Sequence, residues 1–374
     1  MDEADRKARA AMRALAIATL AIVGLVFSFT PAAGRLDAVL LDAEWWLLRR
    51  VDPRPAPDDI IIVGVDDATV GAIPQPPGLW HEPLGRVLLR IAAARPRAIG
   101  LDLALPERSF EAIRPGLDRA LFLGLVAARE NGPFVVALGI DARTRTARPI
   151  HAPFLAVLQE ERLGIDLLAR DIDGATRRFS LVIPTEEGGF PTFVGRLCRA
   201  LSKGCRDGLI HFALGPPYRY VPFQRVLQLQ DTQVLASLFR DRIVLIGTTQ
   251  RYSDRIAVPE NLAGWEAQGG DSPDIVVHAQ SLRTALSGAA PGEISRPFVM
   301  VLVSLSALVG ALRNTRTRLL VGALGAGVLA LGATFVLARG LYVPLSAGLV
   351  TLALACALPA ALEAWRRPCT RERL

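Results

Sequence analysis

Asp66 and Asp67 stand just after one short apolar run, Asp102 ends a second with Glu107 beyond it, Asp141 follows a third, and Thr248 and Thr249 close a fourth. Such side chains can accept hydrogen bonds, hold a hard cation or face a basic ligand. If the runs are parallel strands, all of these residues reach the carboxyl-end edge, where such sheets bind ligands. Taken singly, each is more simply a cap on the turn or helix that follows. Gly247-Thr248-Thr249 is not followed by Gly-Lys-Ser/Thr, and there is no Gly-x-Ser-x-Gly elbow. The histidines, His81, His151, His211 and His278, stand in no nucleophile or metal-ligand spacing, and a satisfied structural role is the simpler reading of His278. No catalytic residue, bound metal or cofactor is therefore expected. Asp171-Ile172-Asp173-Gly174 has Ala175 and Val182 where a calcium loop needs its next ligands, so it reads as a tight turn into a strand, with Arg177 and Arg178 facing the acidic edge.

The elements that must position these residues follow from the apolar pattern. Runs at 60–65, 98–103, 134–139 and 242–247 have the length and composition of buried strands. Helical patterns at 84–94 and 114–130 separate the first three, which predicts an α/β fold with a mostly parallel sheet and flanking helices. Further short strands are expected at 177–184 and 209–212, and helices at 36–50 and 275–287 are expected to lead into and out of the domain.

Membrane-length stretches bracket that domain. A bilayer core of about 30 Å needs roughly 20 apolar helical residues. Residues 14–34, 319–338 and 340–362 meet that length, while 297–312, with 16 residues, spans only if Arg296 and Arg313 snorkel. The expectation is a four-helix transmembrane region, one span before residues 35–296 and three after, between tails at 1–13 and 363–374. The first span reads as an uncleaved anchor rather than a signal peptide, since no clean cleavage site follows it before Arg35 except around Pro31-Ala32-Ala33-Gly34. Basic residues cluster in the N-terminal tail, at 313–318 and in the C-terminal tail, which predicts both termini in the cytoplasm and the domain outside. Membrane lipid is thus one expected partner. The spans lack ionisable residues, against a pump, while Gly322, Gly325, Gly327, Gly332 and Gly348 suggest close helix contacts, within one bundle or in a homo-oligomer.

The net charge of +7 invites a nucleic-acid reading, but residues 35–296 hold 31 basic and 31 acidic residues, so the excess lies at the membrane edges. No nucleic-acid partner is expected. Cys198 and Cys205 lie in the outer domain, in a compartment that permits a disulfide. Seven helical residues separate α-carbons by about 10.5 Å, so the pair bridges only if the helix ends near Gly204; otherwise these are two buried thiols.

Several of these segments together resemble a CHASE2 domain, the extracytoplasmic sensory module of bacterial transmembrane receptors. The matching pieces are Ile60-Ile61-Ile62-Val63-Gly64-Val65-Asp66-Asp67, Ala98-Ile99-Gly100-Leu101-Asp102, Asp171-Ile172-Asp173-Gly174 with Arg177-Arg178, Arg242-Ile243-Val244-Leu245-Ile246-Gly247-Thr248-Thr249 with Asp254, and Val276-Val277-His278-Ala279-Gln280. They occur in the family's order. Trp80-His81-Glu82-Pro83-Leu84 departs from the family's Trp-Pro-Trp-Pro-Arg pattern, which leaves an arginine contact absent or supplied by Arg86. The resemblance implies a membrane-anchored sensor that binds an unknown signal, with Asp66, Asp67, Asp102, Thr248, Asp254 and His278 as candidate ligand-binding residues. It also implies a cytoplasmic output unit, for which the tail after the last stretch is too short, so a separate membrane or cytoplasmic signalling protein is the expected partner. The alternative is a non-catalytic structural or assembly subunit of an envelope membrane complex. An external hydrolase using the acidic edge is a third reading.

Overall fold

The computed structural model describes residues 3–57, 59–141, 146–184, 188–267 and 269–365. The main elements are α1 (Glu3–Phe27), α2 (Pro31–Val51), β1 (Ile60–Val65), α3 (His81–Ala93), β2 (Ala98–Asp102), α4 (Leu117–Glu130), β3 (Phe134–Leu138), β4 (Leu163–Ile165), α5 (Phe193–Ala200), β5 (Tyr220–Pro222), β6 (Ile243–Thr248), α6 (Asp274–Leu286), α7 (Arg296–Leu308), α8 (Thr315–Ala338) and α9 (Ser346–Trp365). They fall into two compact units, Met1–Leu48 with Pro291–Leu374, and Arg49–Ala290.

The second unit is built on a parallel sheet of order β4-β3-β2-β6-β1-β5. Ile60, Ile62 and Val63 of β1 and Ile243 to Ile246 of β6 are buried, as strands covered on both faces must be. Side chains alternate across the pleat. Val63, Val65, Ile99, Leu101, Val244 and Ile246 therefore share one face with Leu88 and Ile91 of α3 and Leu121 and Leu125 of α4. The opposite face carries α5 and α6, and glycine lets them lie close. A Cβ on Gly164 would stand 2.7 Å from the Phe193 Cα of α5, and one on Gly247 would stand 2.9 Å from the Ile275 Cβ of α6. The parallel α/β expectation thus holds, with short antiparallel pairings, Arg178–Phe179 with Gly208–Leu209 and Val182–Ile183 with Phe190–Pro191, as appendages.

Two expectations about helices change. Residues 275–287 do not simply lead out of the domain: Ile275 to Ala285 are all buried, so α6 is a core element. Its polar side chains find partners inside: Gln280 donates to the His211 and Leu214 carbonyls, and Thr284 to the Gln280 carbonyl. Residues 14–34 are not one straight helix either. The chain leaves α1 at Phe27 and re-enters helix at Pro31, with a bend of 79°. Proline has no N–H to donate and its ring clashes with the carbonyl four residues earlier, so a helix can begin there but not pass through unbent. The lead-in helix α2 accordingly starts five residues before the expected residue 36.

In the first unit α1 and α7 pack on α9, and α8 packs on α9 as well. Gly322 and Gly325 of α8 face Cys356 and Leu352 of α9, and Gly348 of α9 faces Ser306 of α7 and Leu329 of α8. Gly327 and Gly332 have open space beside them. Among the described helices only Thr315–Ala338 is by itself long and apolar enough to cross a membrane; Ala11–Phe27 with Pro31–Val51 qualifies only as a bent pair, and Arg296–Ala311 and Ser346–Ala357 are shorter apolar helices.

Cys198 and Cys205 are joined by a disulfide with 6.2 Å between their α-carbons. The helix ends at Ala200, earlier than Gly204, and Ser202 turns the chain with a φ of 52°. Closing so short a loop contributes about 2 kcal/mol by restricting the unfolded chain. Alkylation of the denatured, unreduced full chain is expected to label Cys356 and Cys369 alone; labelling of all four cysteines would remove the bridge.

Candidate functional site

The carboxyl edge of the sheet gathers two of the expected residues and two that were not among the candidates. Asp102 ends β2, Asp166 directly follows β4, and α6 supplies Asp274 and, one turn later, His278. His278 is 1% exposed. Its Nε2 lies 2.9 Å from Asp166 Oδ1 and 3.4 Å from Asp274 Oδ1. One ligand atom from each of Asp102, Asp166 and His278 falls within 4.8 Å of the others. Phe193 of α5 packs edge-on against the imidazole, ring centres 5.2 Å apart, and fixes its plane. Asp254, at a φ of 49°, accepts the Asp274 backbone N–H on its carbonyl at 2.9 Å, tying the loop after β6 to the start of α6. Asp166 and Asp274 also line a concavity of 440 Å³ with Leu168, Arg170 and Ile256.

Electrostatics couple the four groups. Burial disfavours charge on Asp102, and the nearby Asp166, Asp274 and Asp254 add to it, so its carboxyl is held well above the usual range despite His278. Asp274 is raised for the same first reason. Burial would also raise Asp166, but the hydrogen bond and charge of His278 outweigh it and hold Asp166 low. Burial opposes the imidazolium of His278, yet Asp274, the hydrogen bond to Asp166, and Asp102 outweigh it, so the ring holds its proton. The result is one cation among three carboxyl groups, of which Asp102 favours its neutral form, in a largely buried pocket. Such an arrangement can exchange protons, receive a metal cation or bind a basic group.

The remaining candidates lie elsewhere along the edge. Asp66 accepts the Thr69 backbone N–H at 2.7 Å and the Tyr220 hydroxyl at 2.9 Å, so it caps a short helix. Asp67 accepts from Gln250 Nε2 at 3.0 Å. Both border a different concavity, with Tyr220, Arg255 and Trp265. Thr248 is buried, its hydroxyl 3.4 Å from the Val65 carbonyl, and with Asp254 it borders a third recess beside Leu103 and Trp80. Asp166 went unseen because β4 has only three residues, too few to stand out as a strand. Asp274 left a signal in its four-residue spacing from His278.

The other histidines lie outside this cluster. His81 lies 3.4 Å from Asp118 and packs on Phe110, and His151 lies 3.9 Å from the same aspartate. His211 is buried, and burial with the positive charge of Arg54 pushes its pKa down to about 4 from 6.5. The unfolded chain then binds a proton that the folded one refuses. The stability from a neutral His211 is thus present above pH 6.5 and is lost as pH falls from there toward 4. A loss of up to about 3 kcal/mol is expected. Urea midpoints for wild type and His211→Asn should converge between pH 7 and 4.5; parallel pH curves would contradict this.

A family model described as CHASE2 domain matches residues 17–313. Comparisons with curated proteins and with solved structures give no match.

Proposed function

The chain belongs to the CHASE2 domain family, and we propose that its outer domain is a non-catalytic sensor whose signal binds at the Asp102, Asp166, Asp274 and His278 cluster. CHASE2 domains are extracytoplasmic sensory modules, so the question is where this one receives its signal and how the signal leaves. The observation that carries the reading is the buried imidazole of His278 among three carboxyl groups at the carboxyl edge of a parallel sheet. Buried ionic groups are costly and weak evidence for stability, whereas strongly perturbed groups gather at functional sites. α6 carries two of the four groups and Phe193 of α5 packs against the His278 ring, so occupancy of the cluster bears directly on two core helices. A signal shifts such an element only through different affinity for its two arrangements.

In the full proposal the chain crosses the membrane four times, with both termini cytoplasmic and the domain outside. Supporting this are the helix Thr315–Ala338, the bent pair before the domain, the shorter apolar helices around Thr315–Ala338, and the basic residues grouped in the tails and at 313–318. Exposed Leu320, Leu324, Val328 and Phe335 on α8 suit lipid or a second copy. Output passes to a separate membrane or cytoplasmic signalling protein. Affinity purification of the tagged full chain from native membranes tests this: a cytoplasmic kinase or cyclase whose recovery changes with Asp102→Asn supports signalling. A stoichiometric envelope complex indifferent to that substitution would make the chain an assembly subunit instead.

A further inference from the structure

Resting on the sensory reading of the same cluster, we propose that Asp102, Asp166, Asp274 and His278 form a binding site for a divalent transition-metal cation. The spacing is that of a coordination sphere. Two ligand atoms each about 2.1 Å from a metal stand about 3.0 Å apart when they subtend a right angle and about 3.4 Å apart at the tetrahedral angle. His278 Nε2 lies 2.9 Å from Asp166 Oδ1 and 3.4 Å from Asp274 Oδ1. A cation placed among these atoms therefore needs little movement of the chain. Asp102 brings a further carboxyl group within 4.8 Å of the ligand atoms of Asp166 and His278, and its position at the end of a core strand makes it a rigid ligand.

A second observation is independent of that clustering. The Asp274 Oδ1 atom is wholly buried and has no hydrogen-bond partner among the described residues. Its ion-pair partner is the His278 nitrogen, 3.4 Å away, which is already turned to Asp166. A carboxylate oxygen withdrawn from water and given no donor is costly, and a cation in the gap would satisfy it. The charge agrees: carboxyl groups outnumber the single imidazole, and a divalent ion bound by the neutral ring offsets two of the three negative charges they can carry. One nitrogen with several oxygens suits zinc or manganese over calcium or magnesium, which take oxygen ligands alone. The concavity bordered by Asp166, Arg170, Ile256 and Asp274 provides the way in.

The test uses the full chain in detergent, stripped with chelator, then dialysed against Zn²⁺ or Mn²⁺ and passed through gel filtration. Elemental analysis is expected to find one equivalent per chain, and calorimetry to show affinity at least tenfold weaker for Asp102→Asn and for Asp166→Asn. Glu130→Gln, on the exposed end of α4, is the control and should bind as wild type does. Circular dichroism and elution volume separate lost binding from lost folding, and a misfolded variant leaves the wild-type stoichiometry to decide. Less than a tenth of an equivalent on wild type, or unchanged affinity in both folded aspartate variants, would overturn the cation. If that happens while Asp102→Asn still alters partner recovery, the sensory site stands without it. If the cation binds and partner recovery never changes, the cation stands and the sensory reading fails.

Discussion

Replacing His278 with Leu is expected to lower the stability of the metal-free full chain by about 3–5 kcal/mol, the range for removing one member of a buried ionic group. The imidazole is 1% exposed, so leucine replaces its volume without gaining contact with water. Asp166 and Asp274 are then left beside Asp102 with no compensating charge. Asp166 suffers most, because the hydrogen bond and charge of His278 are what hold its carboxyl below the ordinary range. Urea unfolding followed by tryptophan fluorescence measures the loss. Adding Asp166→Asn to His278→Leu should recover part of it, since an amide tolerates the site that a lone carboxylate does not. The two substitutions are in direct contact and should depart from additivity by more than about 1 kcal/mol. A loss below 1 kcal/mol for His278→Leu, or strict additivity, would mean that the cluster is not ionised as described.

Arg177→Met is expected to cost about 2–4 kcal/mol, somewhat less than the loss at His278. Arg177 is also 1% exposed, and it donates to Asp171 Oδ2 at 3.0 Å and to both Asp173 oxygens at 2.9 and 2.7 Å. The guanidinium thus gathers the two aspartates of Asp171-Ile172-Asp173-Gly174 around itself. Its partners keep side-chain exposures of 25% and 31%, so water can take over part of their solvation when the arginine is lost. That recovery is what makes the expected loss smaller. Arg177→Lys should not rescue stability fully, because a compact ammonium cannot match the planar fork against two carboxylates at once. Full rescue by lysine, measured by the same urea titration, would show that charge alone matters there.

The sequence made the long elements legible and the short ones invisible. Ile60 to Val65 and Ile243 to Thr248 are runs of six apolar or small residues, and buried central strands leave that mark. Leu163–Ile165 and Tyr220–Pro222, the two edge strands, have three residues each and depend on pairing with neighbours that only the folded chain supplies. Asp166 was hidden with the first of them. Asp102 and His278 were legible as candidates through the family's motif order, but Asp166 is separated from His278 by 112 residues, a relation that no local spacing encodes. Asp66 and Asp67, equally conspicuous after their strand, belong to a helix cap and a surface contact, as the plainer reading of short polar residues allows. The break between α1 and α2 lay inside an apolar window where hydropathy alone is continuous, and Pro31 was the one residue marking it.

The most direct measurement is hydrogen exchange on the full chain in native membranes, with and without the low-molecular-weight fraction of a periplasmic extract. Slower exchange is expected at 102–105, 166–170, 254–257 and 274–278, together with altered exchange in the lead-in helix at 31–51. Unchanged exchange in all of these, or protection confined to the concavity bordered by Asp66, Asp67, Tyr220 and Trp265, would contradict a sensory site at the Asp102, Asp166, Asp274 and His278 cluster.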